Sequence, residues 1–358
     1  MPEDIEPTSQ VLLCSNCFTD EGLRIDATKH GIAQEGDCPN CKSPDGQKLT
    51  QNHIEAIAWR FFVSGTTVRC DYGAAPVVQF NQYHYGKSEI VPSSWIKDDI
   101  KLIEKAAKIG FFYYGPRLWM VGEVEPLKAL QDPTTRPQII KRVLREYPEV
   151  SLSKGSKFYR LRVNPERPAE VSEYDSPPVA FAGRGRLDSL GFSVMYGSQD
   201  LDVCIHECRA STEDELYVAT LMGQRDLRLL DLAHPLEETE TEFESLDMAI
   251  HMLFLAQSHS YAIAREIALA AKEAGFDGVI YPSFFSLMRT GGHPFETTYG
   301  LSLRRFHPRR EEYVEANTIR NLALFGRPVE SSLVSVECIN RLILTQVGYQ
   351  GHFGPVEY

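Results

Sequence analysis

Nowhere do apolar residues run for the ~18 positions a membrane-spanning helix needs. The longest runs, such as Gly110-Phe111-Phe112-Tyr113-Tyr114, are strand-sized. The opening Met1-Pro2-Glu3-Asp4-Ile5-Glu6-Pro7 is acidic and prolyl, without the basic start and apolar stretch of an export signal. Basic side chains are in deficit: 37 Lys and Arg stand against 49 Asp and Glu, a net −12. That balance argues against a broad surface for nucleic-acid phosphates. A basic amphipathic helix suited to a membrane surface is missing too. These absences lead us to expect a soluble, cytoplasmic protein whose partners are neither membrane nor nucleic acid.

What is present is ordinary globular composition. Of 358 residues, 43% are apolar and 24% charged, enough for buried cores and too patterned for disorder or a fibre. At roughly 150 residues per domain, two or three units are expected.

The most specific local signal is Cys14-Ser-Asn-Cys17 followed, after a spacer of 20 residues, by Cys38-Pro-Asn-Cys41. Two such knuckles can aim four thiolates at one tetrahedral Zn2+, and four thiolates leave no open position, so the metal should be structural. Residues 1–50 hold nine acidic and four basic side chains, a net of −5, which favours a folding staple or protein-docking module over a nucleic-acid finger. Cys70, Cys204, Cys208 and Cys338 show no second metal spacing and read as small buried hydrophobes. Arg24 and His30 match a loose ribonuclease spacing, which we attribute to coincidence.

Periodicity predicts helices over 53–61, 98–109, 126–130, 139–146, 201–208 (capped by Asp200) and 247–274. Strands are expected over 67–70, 76–80, 158–163, 192–196, 216–221, 227–232 and 279–281. Pro148 to Ser156 reads as a linker. The expected organisation is a zinc-ribbon module (1–50), a middle α/β extension (51–153), an α+β catalytic domain (154–330) and a C-terminal segment (331–358) packing on it.

In that third segment, chemistry-bearing residues recur at strand ends: Arg160, Arg184-Gly185-Arg186, Tyr196, Glu207 and Ser283. No histidine has a partner nucleophile, so a hydrolytic triad does not fit. Guanidiniums that fork onto phosphate, a phenol that stacks on a ring, and one carboxylate beside a developing cation suit an anionic, aromatic ligand.

Tyr159-Arg160-Leu161-Arg162, Gly183-Arg184-Gly185-Arg186-Leu187-Asp188, Met195-Tyr196, Cys204-Ile205-His206-Glu207, Ala274 through Ser283 and Asn321 through Phe325 together resemble the RES domain family. The resemblance covers roughly residues 155–330, and the front half resembles an extension carried by some RES proteins. It implies a mixed-sheet fold similar to ADP-ribosyltransferase toxins and cleavage of the nicotinamide–ribose bond of NAD+, by water or phosphate, in a growth-inhibiting toxin or defence effector. It further implies that Arg160 and Arg186 hold the pyrophosphate, Tyr196 stacks on nicotinamide, Glu207 faces the ribose and Ser283 bonds the nicotinamide ribose or amide. An antitoxin or regulatory partner and a homo-oligomer are implied as well. Transfer of ADP-ribose to a protein is the alternative, and a non-enzymatic zinc-ribbon interaction protein a second. The chain departs from the family in reading Arg186-Leu187-Asp188 where Arg-Trp-Asn is usual. It also carries an insertion, 287–320, whose Arg304–Arg310 cluster could gate a cleft or meet a partner.

Overall fold

Alternating apolar positions in residues 157–163 and 216–223 place one face of each strand in a core, and these strands anchor the larger part of the protein. The computed structural model describes residues 10–70, 73–81, 85–113, 124–237, 244–256, 260–286, 290, 297–298, 301–302, 310–348, 351 and 353–356. The chain divides into two compact units. One comprises residues 1–70, 74–117 and 349–358, the other 71–73 and 118–348. The sequence places a boundary near residue 154 instead. Residues 149–152, read as linker, form a strand of the second unit's sheet because their backbone pairs with Leu227–Leu230.

In the first unit, β1 (Val11–Cys14) pairs antiparallel with β2 (Lys48–Thr50). The intervening cysteine spacer is not a plain ribbon. It holds helix α1 (Glu21–His30), started by Asp20, whose carboxylate accepts the Leu23 N–H at 2.9 Å. Helix α2 (Gln51–Ala58) runs on into a π-turn over Trp59–Val63. Short strands β3 (Thr67–Cys70) and β4 (Gly73–Pro76) pair, as do β5 (Val78–Phe80) and β6 (Phe111–Tyr113). Helix α3 (Lys97–Ala107) stops at Lys108, which takes the left-handed conformation, φ 56°. Leu13, Phe18, Leu23, Ile54, Phe62 and Ile103 share one core. The cysteine-bearing segment is therefore built into its neighbours, and Asp99 ties it to α3 by accepting the Thr19 and Asp20 amides at 2.9 and 2.7 Å.

The second unit comprises α4 (Glu125–Gln131), α5 (Arg136–Glu146), β7 (Glu149–Leu152), β8 (Lys157–Val163), β9 (Val194–Ser198), α6 (Leu201–Cys208), β10 (Leu216–Gly223), β11 (Leu227–Asp231), α7 (Leu246–Leu255), α8 (Tyr261–Glu273), β12 (Gly278–Pro282), the short pair β13 (Thr297–Thr298) and β14 (Leu301–Ser302), α9 (Arg310–Asn317), β15 (Arg320–Phe325) and β16 (Val334–Leu342). Eight strands form one sheet in the order β16-β10-β8-β9-β15-β12-β11-β7. Only β11 and β12 run parallel. This is the expected α+β class with a mixed sheet.

The helix expected over 247–274 is two helices. Ala256 is extended (φ −71°, ψ 163°), which ends α7, and α8 begins at Tyr261. Helices α4, α5, α7 and α8 bury one sheet face through residues such as Val143, Leu253, Ile267 and Val279. The opposite face packs Phe158, Tyr174, Leu221 and Leu324. Cys204 is buried as expected, whereas Cys208 and Cys338 are exposed, Cys338 because it lies on edge strand β16. The side chain of Cys70 lies outside the described residues.

Candidate active site and metal centre

Strands β8 and β9 pair only at Tyr159↔Ser198, and from that point a cavity of about 340 Å³ opens between β8, β9 and α6. Arg160, Arg186, Tyr196 and Glu207 all line it. Four of the five residues to which the family resemblance gives roles thus meet in one place.

Glu207 sits in the last turn of α6, with Oε1 accepting the Ser283 hydroxyl at 2.7 Å and the Asn321 amide at 2.6 Å. Ser283, at the end of β12, is fully buried and does not line the cavity. It acts on the site through Glu207. Asn321 does line the cavity, because the register Tyr281↔Asn321↔Ser198 sets it between β12 and β9. Both donors are on Oε1, and among the described residues none reaches Oε2.

Arg160 is buried on the Phe158 side of β8. It donates to the carbonyls of Tyr196 (2.9 Å) and Asp175 (3.1 Å), and its Nε is buried without a partner among the described residues. Burial, helped by Arg162, pulls its pKa down to about 10, so it remains charged at neutral pH. Arg162 also lines the cavity, and its Nε is likewise buried without a partner among the described residues. Neither orphaned donor is expected without an acceptor from elsewhere.

Arg186 is used differently. The break after α7 frees backbone carbonyls, and Arg186 donates to those of Leu253 (3.3 Å) and Ala256 (3.0 Å). A cation there complements the negative helix end. Its guanidinium carbon lies 4.8 Å from the centre of the Tyr261 ring, a cation–π contact on the cavity wall.

The hydroxyl of Tyr196 is committed. It accepts the amides of Leu187 (2.8 Å) and Asp188 (3.2 Å) and donates to Asp188 Oδ1 at 2.8 Å. Burial, reinforced by the Asp188 charge, pushes its pKa far up, so it stays a neutral phenol. Asp188 in turn accepts the Gly183 and Arg184 amides. Burial works to raise its pKa, but the Gly183 amide and the Tyr196 hydroxyl, with other backbone amides of the loop, outweigh it and hold the carboxyl below its ordinary value. The Leu187-Asp188 departure thus makes an internal brace, with Leu187 in the core. A Cβ on Gly185 would stand 2.1 Å from Asp188 Oδ1, so only glycine fits. Arg265 on α8 completes the brace by donating to the carbonyls of Gly183 (2.9 Å) and Gly185 (2.8 Å).

Residues 157–324 match the family model of the RES domain. The second unit carries a RES domain. Among solved structures, one similar to the chain is the crystal structure of the M. tuberculosis MbcT-MbcA toxin-antitoxin complex, at 14% identity and a TM-score of 0.34, covering 57% of this chain and 91% of that chain. No curated protein matches. Tyr261 and Arg265, one turn apart on α8, escaped the sequence because each alone looks like a helix-surface residue. Asn321 lay inside a recognised block but carried no role.

In the first unit the four cysteine sulfurs lie within 4.8 Å of one another. Three separations are 3.5, 3.5 and 3.9 Å, against the ~3.8 Å edge of a tetrahedron with metal–sulfur bonds of ~2.3 Å. Burial and the neighbouring thiols push the Cys14 thiol up. For Cys38, burial is outweighed by the Cys41 and Asn40 amides, which draw it to about 7. Four thiolates crowded together need a cation, and this cluster could hold one metal ion. No described helix is long and apolar enough to cross a membrane.

Proposed function

We propose that the RES domain cleaves the nicotinamide–ribose bond of NAD+. The observation that carries this reading is the Glu207 carboxylate, pinned through Oε1 by Ser283 and Asn321 at the edge of a cavity that three guanidiniums line. Such a cavity suits a dinucleotide's diphosphate, with the buried Nε donors of Arg160 and Arg162 and the Arg186 fork as candidate contacts. Nicotinamide leaves NAD+ neutral, so no strong general acid is needed for its departure. The sugar left behind carries oxocarbenium character, and the free oxygen of Glu207 would stabilise that charge. The Tyr196 ring, its hydroxyl occupied elsewhere, would offer a face to a flat heterocycle.

Purified protein incubated with NAD+ should release free nicotinamide, and Glu207→Gln should reduce the rate by ~10²–10³ with little change in KM. Comparing buffers with and without phosphate identifies water or phosphate as acceptor, and labelled NAD+ with candidate proteins identifies transfer. A wild-type protein that releases nothing overturns the reading. Unrestrained turnover would drain the producing cell of NAD+, so a growth-inhibiting role with a protein inhibitor covering the cleft follows from the proposed reaction. Cys14, Cys17, Cys38 and Cys41 would hold a structural Zn2+ that braces the first unit. The Arg304–Arg309 stretch of the insertion lies outside the described residues.

A further inference from the structure

We infer that the first unit carries an oxyanion site between α1 and α2, separate from the cysteine cluster and from the RES cavity. A groove of about 290 Å³ is lined by His30 of α1, by Asn52, His53 and Ala56 of α2, and by Arg60 in the π-turn that continues α2. The spacing explains the convergence. Asn52, His53, Ala56 and Arg60 fall on one stripe of a helix, and Asp26 and His30 are one turn apart on α1.

Both imidazoles are held by Nδ1. That of His30 lies 3.0 Å from the Asp26 carbonyl and 3.0 Å from Asp26 Oδ1, and that of His53 lies 2.7 Å from the Thr50 hydroxyl. Each ring therefore keeps Nε2 for another partner. Arg60 donates Nε to Asp26 Oδ2 at 2.9 Å, while its Nη2 is buried with no partner among the described residues. A buried guanidinium N–H left unmatched is costly, and such groups are rare without an ordered partner. The Asp26 carboxylate is already taken by Arg60 and His30. What remains for a ligand is Arg60 Nη2, the Asn52 amide and, where Nδ1 accepts the Thr50 hydroxyl, His53 Nε2–H; His30, whose Nδ1–H faces two Asp26 oxygens, adds a donor only as the imidazolium. Ala56 leaves room among them. Among the described residues, the groove's His and Asp form no group of three with ligand atoms close enough to share one metal ion. A tetrahedral oxyanion, inorganic phosphate or a phosphoryl group, supplies acceptors in the required number.

The test is NMR titration of the full-length, metal-loaded protein with inorganic phosphate at pH 7, observing the imidazole signals of His30 and His53. Saturable shifts of both rings are expected. Ala56→Glu, which keeps every described hydrogen bond but adds a negative charge to the groove, should weaken them ~10-fold. His53→Gln should weaken binding while His30 still responds. Arg160→Lys, altering the RES cavity, should leave these shifts unchanged, which separates the two sites and any failure of the NAD+ reading. Shifts that never saturate, or that Ala56→Glu does not affect, overturn the inference.

Discussion

Ser283 and Asn321 reach the same oxygen of Glu207 from neighbouring strands, at 2.7 and 2.6 Å. The carboxylate is thereby aimed before any ligand arrives, which is worth more to a reaction than binding strength alone. Ser283→Ala and Asn321→Ala should each remove one neutral donor to a charged acceptor, ~1.5–3 kcal/mol. We expect kcat for nicotinamide release to fall ~10–100-fold with KM nearly unchanged, as initial rates over a range of NAD+ would establish. A rise in KM at constant kcat would mean that these residues contact the substrate directly.

Tyr196→Phe keeps the ring but leaves the Leu187 and Asp188 amides and Asp188 Oδ1 without the hydroxyl. Loss of ~1–3 kcal/mol is expected from urea unfolding of the RES domain. Gly185→Ala should be at least as damaging, since the new methyl collides with Asp188. Unchanged midpoints for both would refute the brace.

Arg265→Leu should loosen the glycine-rich loop without touching the cavity. Faster hydrogen exchange at the Arg184–Asp188 amides and a larger rise in KM than fall in kcat are expected. Arg265→Lys should restore part of each, since an ammonium can reach one carbonyl but not fork onto two.

Asp188 makes acid sensitivity predictable. Its folded pKa lies below the unfolded value of ~3.9, so its contribution is complete above that value and disappears as pH falls through the folded pKa. Stability measured between pH 6 and pH 2 should therefore drop at the acid end. Asp188→Asn should start lower and show a shallower drop.

One zinc per chain should be found by elemental analysis, absent after Cys38→Ser. Strong chelation should unfold the first unit, read by faster hydrogen exchange across α1 and α2, because metal binding and folding are coupled in small thiolate sites. A chain that keeps its full thermal stability without metal would contradict a structural role.

Much of this was legible in order and spacing. The paired cysteine knuckles, the Asp200 cap, the alternation in β8 and the ordered blocks around Arg160, Tyr196, Glu207 and Ser283 are local properties of the chain. Other features were not. The break after α7 is invisible to periodicity because both helices bury similar apolar faces, and the 149–152 strand looked like a linker because its partner lies over 70 residues away. That Arg186, on the cavity wall, also caps the carbonyls of Leu253 and Ala256 was equally invisible, since those carbonyls lie 67 and 70 residues away.

Local chemistry, then, determined which residues could ligate a metal, end a helix or carry a charge, because those capacities depend on side-chain type and near neighbours. Which atoms face one another was decided only by tertiary structure. Strand register brought Ser283 and Asn321 to Glu207 Oε1 across 76 and 114 residues of chain, and no local rule encodes a distance of that kind.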